Sequence, residues 1–222
     1  MNQDKLRHLN DPLKFGKAFW PSAEFYDKQR ETIYSVRDAD ETLVTAGNML
    51  GKDYVTGFIC LSFFLRPQMY FDPKYVAEVE SRKSKYDPYP HTVRIVTTSV
   101  KDEHLDVLWA EIGKFVRTCR FPLISNKGGP LVMNHHEIKY AREADQKNPT
   151  SYLKGMVSKE SEGLAGHHAA YTLAVADEAS GVKEDAHVEM TRWCKRFLAI
   201  GNPNMCNNFF YKGVRAGDKL AI

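Results

Sequence analysis

The chain has 222 residues, a length that suits one α/β domain or one domain with an appendage. Its 31 basic and 28 acidic side chains give a formal net charge of +3, which is too small to indicate a nucleic-acid-binding protein by itself. Hydrophobic residues make up 43% of the chain, enough to form a real core.

Cysteine usage and hydropathy indicate the compartment. The four cysteines are scattered, with no CxxC spacing: Cys60, Cys119, Cys194 and Cys206. This pattern indicates reduced thiols and argues against a disulfide framework or a zinc knuckle. The N-terminus has no apolar signal-peptide core, and the longest apolar segment, 54–65, is too short to span a bilayer. We therefore expect a soluble intracellular protein.

The first third of the chain predicts an arm or first helix over 1–19, a helix over 22–36 and a short strand over 41–45. One face of the second helix carries four residues: Phe25, Tyr26, Gln29 and Ile33. By itself, Gln29 reads as an ordinary surface glutamine.

The segment AGNMLGKD follows the short strand directly and precedes an apolar helix. A strand, a glycine-containing loop, a lysine and a helix are typical of a phosphate-binding loop, in which backbone N–H groups and the lysine hold phosphates. Ala46 replaces the first glycine of the usual pattern, and Asp53 replaces the usual Ser or Thr after Lys52. The alternative is a simple strand-to-helix turn in which Asp53 favours the helix N-terminus.

The middle of the chain continues the alternation of helices and strands. The helix over 54–65 is apolar nearly all round, which predicts a position inside the domain. Residues 66–91 resemble an inserted excursion with a short helix over about 73–86. A strand over 92–98 and a helix over about 101–119 follow.

A small antiparallel pair is predicted from 131–133 and 137–140, with His135 and His136 near its turn. Adjacent histidines on a strand point to opposite faces, so we do not expect both to bind one metal ion. Another strand is predicted over 151–158.

Two apolar runs near the C-terminus end in polar residues. The run 173–176 has the pattern of a strand buried on both faces and ends at Asp177 and Glu178. The run 197–200 ends shortly before Asn202. Ligands of open α/β sheets bind at the carboxyl ends of strands, so the carboxylate pair suggests a metal or a reacting water there. The alternative is two strand ends with helix caps. Alternating strands and helices predict a mostly parallel sheet with helices on both faces.

Four segments together resemble the ATPase domain of phage terminase large subunits, the motors that drive double-stranded DNA into a procapsid. They are AGNMLGKD, RIVTTSVKDEHLDVLWAEI, SYLKGMVSKESEGLAGHHAAYTLAVADEASGV and KRFLAIGNPNMCNNFFYKGV. The pair VADEASGV and FLAIGNPN is the specific part. The resemblance covers roughly 20–217, with 1–19 as an arm, 67–90 as an insertion and 218–222 as a tail. It implies a three-layer P-loop NTPase fold of the RecA-like, additional-strand (ASCE) type.

The resemblance implies a role for each matching residue, with ATP and Mg²⁺ as cofactors. The Walker A loop and its flank would comprise Ala46, Gly47, Asn48, Met49, Leu50, Gly51, Lys52 and Asp53. Lys52 would contact the β- and γ-phosphates, Asp177 would hold Mg²⁺ with Asp53 as a second carboxylate, and Glu178 would deprotonate the attacking water.

Further positions follow from the same resemblance. Asn202 would sense the γ-phosphate, and Gln29 with Tyr26 would read the adenine edge. Thr98 and Ser99 lie where related translocases contact the nucleotide or the DNA backbone. The loop position that often carries a charge-stabilising arginine is Asn48 here, which favours an arginine from a neighbouring subunit. Three arginines are candidates: Arg117, Arg120 and Arg142.

The implied partners are double-stranded DNA, a homo-oligomeric ring on a portal protein and a small terminase subunit, in the host cytoplasm and without a membrane. Full-length members continue into a nuclease, so we expect the motor half alone and no DNA cleavage. Two alternatives stay open. One is a nucleotide- or DNA-binding assembly module of the same fold with weak or no ATPase. The other is a helicase-like ATPase, against which the single RecA-like core argues.

Overall fold

The computed structural model describes residues 9–47, 50–82, 92–157, 161–202, 207–216 and 220–221. Its α-helices are α1 Pro12–Phe19, α2 Asp27–Asp38, α3 Lys52–Leu65, α4 Pro73–Ser81, α5 Asp102–Thr118, α6 Glu184–Thr191 and α7 Phe209–Arg215. Its strands are β1 Glu41–Thr45, β2 Val93–Ser99, β3 Leu131–Asn134, β4 Glu137–Tyr140, β5 Tyr152–Val157, β6 Tyr171–Asp177, β7 Arg196–Gly201 and β8 Leu220–Ala221. Within these ranges no helix is long and apolar enough to cross a membrane.

The strands form one sheet in the order β3-β4-β5-β2-β6-β7-β1-β8. Every pair from β5 to β8 is parallel, and the β3–β4 hairpin adds an antiparallel edge beside β5. Strand β7 lies between β1, which precedes the glycine loop, and β6, which ends in the carboxylates. This is the additional-strand arrangement, so the predicted fold class is confirmed.

Strand β6 shows how the sheet is covered on both faces. All seven of its residues are buried. Leu173 and Val175 belong to a core cluster that includes side chains of α1, α2, α3 and α5. Ala174 and Ala176 point into a second cluster, with side chains of α6 and α7. Alternate residues of one strand thus enter different cores, as an uninterrupted apolar run predicts.

Predicted and observed elements agree in type and differ at their ends. Strand β1 has the predicted bounds. Helix α2 begins at Asp27 rather than at 22, because Tyr26 is extended and caps the helix. Helix α3 begins at Lys52, two residues earlier than predicted, directly after the left-handed Gly51. Helix α4 ends at Ser81 rather than near 86, and 83–91 lie outside the described residues.

The segment predicted as an arm or first helix contains α1. The Asp11 carboxylate caps this helix by accepting hydrogen bonds from the backbone N–H groups of Leu13 and Lys14. Phe15 and Trp20 are buried in the cluster that also holds α3, and the Trp20 indole donates to the Phe115 carbonyl over 2.7 Å. Helix α1 is therefore packed into the main core.

The predicted β3–β4 pair is confirmed, but the expected orientation of its histidines is wrong. His135 and His136 occupy the two-residue turn rather than a strand, and His136 has a left-handed backbone with φ of 49°. Their rings stack with centroids 3.9 Å apart. The turn removes the strand alternation on which the expectation rested.

Candidate active site

The glycine loop leads from β1 into α3 at the carboxyl edge of the sheet. Gly51 has φ of 67°, a conformation that favours glycine, and a Cβ there would lie 2.8 Å from Gln29 Nε2. At the other end of the loop, the Ala46 N–H donates to the Gly201 carbonyl over 3.0 Å, which ties the loop to β7. Asn48 and Met49, two of the predicted loop residues, lie outside the described residues.

Lys52 and the two carboxylates after β6 meet at this edge, although they are more than 120 residues apart in sequence. The Lys52 ammonium contacts the Glu178 carboxylate and lies 3.7 Å from Asp177 Oδ1. Lys52 is buried; burial lowers its pKa, but the charges of Asp177 and Glu178 outweigh that effect and raise it. The structure thus brings together three of the predicted site residues.

Asp177 is a buried carboxylate with an unsatisfied atom. The residue is 2% exposed, and its Oδ1 has no hydrogen-bond partner among the described residues, since Lys52 is beyond hydrogen-bond distance. Burial raises the Asp177 pKa to about 7, and the negative charges of Asp53 and Glu178 add to this against the opposing effect of Lys52. An unsatisfied anionic oxygen in the interior is what a bound cation would relieve.

Asp53 adds a third carboxylate to the same site. It lies in the first turn of α3, next to Lys52, and burial raises its pKa with a further contribution from Glu178. Mg²⁺ prefers oxygen ligands, and carboxylates are among its usual protein ligands. The donor set and the unsatisfied Oδ1 of Asp177 therefore fit a Mg²⁺ ion, with Asp177 and Asp53 as the residues to hold it.

Glu178 has a strained backbone. Its φ and ψ are 49° and 47°, in the left-handed region that a non-glycine residue seldom adopts. The neighbouring strand leaves little room there, because a Cβ on Gly201 would lie 2.8 Å from the Ala179 nitrogen. The turn that follows β6 is thus held in one conformation, with the Glu178 carboxylate directed at Lys52.

Asn208 is a residue of this region that sequence reasoning missed. Its side-chain amide donates to the carbonyls of Ala179 and Val182 over 2.9 and 2.8 Å, and its oxygen caps α7. These contacts hold the turn after Glu178. The signal in the sequence was an asparagine directly before the aromatic run 209–211, the position of an N-cap.

Tyr26 and Gln29 contact the loop itself. The Tyr26 hydroxyl donates to the Leu50 carbonyl over 2.6 Å, and Gln29 Nε2 donates to the Gly51 carbonyl over 3.3 Å. Gln29 is 4% exposed, so it is no ordinary surface glutamine. Both side chains, predicted at the adenine edge, hold the last residues of the loop before α3.

The remaining predicted positions are placed by the sheet. Asn202 follows β7 directly, between the ends of β1 and β6. Thr98 and Ser99 end β2, the neighbour of β6 on its other side, and their buried hydroxyls have no hydrogen-bond partner among the described residues. The arginine candidates Arg117, Arg120 and Arg142 are exposed, and a single chain does not test an arginine from a neighbour.

Comparison with known proteins supports the fold. The structure is similar to the ATPase domain of the large terminase of Thermus phage P74-26, with a TM-score of 0.60 and 13% identity over 90% of this chain and 72% of that one. It is also similar to the large terminase of bacteriophage HK97, with a TM-score of 0.56 and 12% identity over 92% of this chain. A large terminase from a thermophilic bacteriophage gives 0.55 and 13% over 90%.

The chain spans 40% of the length of the HK97 terminase and 45% of that of the thermophilic one. No family model matches the sequence, and no curated protein matches it significantly. The resemblance to terminase ATPase domains is thus confirmed at the level of the fold.

Proposed function

We propose that this chain is the ATP-hydrolysing motor domain of a viral terminase large subunit, which couples hydrolysis to movement of double-stranded DNA into a procapsid. The observation that carries the proposal is the meeting of Lys52, Asp177 and Glu178 at the carboxyl edge of a parallel sheet. A lysine at a helix N-terminus and an acid pair on a nearby strand are the parts that phosphoryl transfer requires. The shared fold of terminase ATPase domains supports the same assignment.

Lys52 has a different partner before and after nucleotide binds. Without nucleotide it contacts Glu178. The phosphates of ATP carry more charge than one carboxylate, so we expect them to draw the ammonium away from Glu178. The Glu178 carboxylate is then free to accept a proton from the attacking water.

Asp177 must be ionised to bind a cation, and its pKa of about 7 means that protonation opposes this at neutral pH. Mg²⁺ held there would neutralise charge that develops on the transferred phosphoryl group. Asp53 contributes a second carboxylate and also negative charge beside the phosphates. The Lys52 charge and the N-terminus of α3 oppose that repulsion.

The walls of the site assign further roles within the proposal. Asn202 would sense the γ-phosphate, because it lies between the strand ends that carry the loop and the acids. Gln29 and Tyr26 would read the adenine edge while holding the loop. Tyr26 also lines a groove of about 890 Å³ with Phe25 and Arg30, which is large enough for a base and ribose. The described loop residues Ala46, Gly47 and Leu50 would offer backbone N–H groups to the phosphates.

The partners belong to the same proposal. A homo-oligomeric ring on a portal protein, with a small terminase subunit, in the host cytoplasm, would supply the arginine that the loop lacks. An arginine supplied in trans is worth a factor of about 10³ to 10⁵ in rate in related chemistry, so the isolated chain would be slow. We propose no nuclease activity for this chain.

One observation favours a second function. Three carboxylates, Asp53, Asp177 and Glu178, share one lysine, and two of them have pKa values raised by burial. That excess of negative charge weakens nucleotide binding. A nucleotide- or DNA-binding assembly module of the same fold, with weak or no ATPase, is therefore the second candidate.

ATP hydrolysis measured against protein concentration separates the two functions. For a motor site shared between subunits, we expect activity that rises faster than linearly and vanishes in Lys52→Ala and Glu178→Ala. Lys183→Ala and Glu103→Ala, which change exposed residues of the same types, serve as controls and should keep full activity. Measurable nucleotide binding with no activity above the two site variants would support the assembly module instead.

A further inference from the structure

A second cluster of ligating groups lies at the β3–β4 turn. His136 Nε2 is 2.9 Å from Asp106 Oδ1, and His135 Nε2 is 3.3 Å from the same oxygen. The three potential ligand atoms all lie within 4.8 Å of one another. Asp106 comes from α5, so the cluster joins a helix to the hairpin. Strands β5 and β2 lie between this hairpin and β6, which carries the proposed ATP site.

These separations match those around a small tetrahedral ion. Zinc binds imidazole nitrogen and carboxylate oxygen at about 2.0–2.2 Å, so two ligands of one tetrahedral ion are about 3.3–3.5 Å apart. The two nitrogen–oxygen distances at this turn differ from that by a few tenths of an ångström. We propose that Asp106, His135 and His136 form a binding site for a divalent transition-metal ion of the zinc class.

The surroundings hold His136 in place before any ion binds. Its side chain is 10% exposed, and its ring lies 5.5 Å from that of Trp109. The Gly155 N–H donates to the His136 carbonyl over 2.9 Å, and a Cβ on Gly155 would lie 3.1 Å from His136 Cβ. The left-handed backbone of His136, with φ of 49°, is maintained by these contacts. A rigid neighbour shell is what a metal ligand needs to keep its orientation.

The donor set selects the class of ion. Two imidazole nitrogens and one carboxylate oxygen suit zinc, nickel, copper or cobalt, whereas magnesium and calcium prefer all-oxygen sites. Three protein ligands leave one tetrahedral position open for water or for a donor from a partner. Bound metal would link α5 to the hairpin and so stabilise the antiparallel edge of the sheet. This inference does not depend on the proposed ATPase.

Cobalt(II) titration of the full chain, followed by visible absorption without nucleotide or Mg²⁺, tests the site. We expect one ion per chain, with a spectrum that lacks the strong thiolate-to-cobalt charge-transfer band of a cysteine site. His135→Ala and Asp106→Asn change exposed side chains, so both variants should fold, and each should weaken binding at least tenfold. His168→Ala, an exposed histidine outside the cluster, should bind like the unchanged chain.

Zinc competing for the same ion-binding capacity should displace the cobalt and raise the thermal midpoint of the unchanged chain more than that of His135→Ala. Equal affinity in the unchanged chain, His135→Ala, Asp106→Asn and His168→Ala would overturn the proposal. A dominant thiolate band would also overturn it, because the ion would then lie at a cysteine.

Discussion

Two buried carboxylates in this protein have opposite surroundings. Glu143, 6% exposed, accepts hydrogen bonds from the Thr150 N–H, the Thr150 hydroxyl and the Ser151 N–H, at 2.9, 2.6 and 3.2 Å. Asp177, 2% exposed, has an oxygen with no hydrogen-bond partner among the described residues and two acidic neighbours. Glu143 closes the loop before β5, and Asp177 lies where three strand ends meet.

The difference separates a structural carboxylate from a reactive one. Hydrogen bonds to a carboxylate repay the cost of removing it from water, so Glu143 is stable where it is. Asp177 is left partly unpaid, and such a group persists when a ligand that binds later completes it. Replacing each acid by its amide should therefore have opposite effects on stability and on activity.

Asp177→Asn should give the largest change in activity. We expect ATP hydrolysis to fall by roughly 100-fold or more, as when one charge-stabilising group of an active site is removed. The free energy of unfolding without nucleotide at pH 8 should stay level or rise, because the variant removes a buried charge. Steady-state hydrolysis and urea unfolding measure the two quantities. Loss of stability together with activity would show that Asp177 is a structural residue.

Glu143→Gln should show the reverse pattern. The amide NH₂ would face the N–H donors of Thr150 and Ser151, leaving buried donors unsatisfied at a cost of about 1–3 kcal/mol. We expect urea unfolding at a lower denaturant concentration and unchanged ATP hydrolysis per folded molecule. A rate per folded molecule that falls as far as that of Asp177→Asn would break the comparison.

Sequence reasoning reached the Asp177 side of this comparison but not the Glu143 side. Lys52, Asp177 and Glu178 stand in short motifs with fixed chemistry, and their position at strand ends follows from alternating periodicity. Glu143 lies in a polar stretch where no periodicity shows which side chain turns inward. The same limit hid Asn208 and the stacked histidines of the β3–β4 turn, because their contacts depend on backbone angles at single residues.

The pH dependence of stability should isolate Asp177 further. Its pKa is raised from an ordinary 3.8 to about 7, so between these values the folded chain binds a proton that the unfolded chain has lost. This contribution to stability is therefore lost as pH rises from about 4 to about 7 and changes little above that. We expect the thermal midpoint of the nucleotide-free protein to fall over this range relative to Asp177→Asn. Parallel curves for the two proteins would contradict a raised pKa at this residue.

The smallest expected effect concerns a neutral contact of the reactive region. Tyr26→Phe removes the hydroxyl that donates to the Leu50 carbonyl, one uncharged hydrogen bond worth about 0.5–1.5 kcal/mol. If that bond holds the loop in its nucleotide-binding shape, ATP affinity should fall by about 2- to 10-fold, measured by calorimetric titration. Tyr34→Phe is the matched control, because it removes a hydroxyl on the same helix that contacts Asp11 over 3.2 Å. Equal affinities in both variants would mean that the loop keeps its shape without Tyr26, and that the buried charges alone distinguish this site from the structural carboxylate at Glu143.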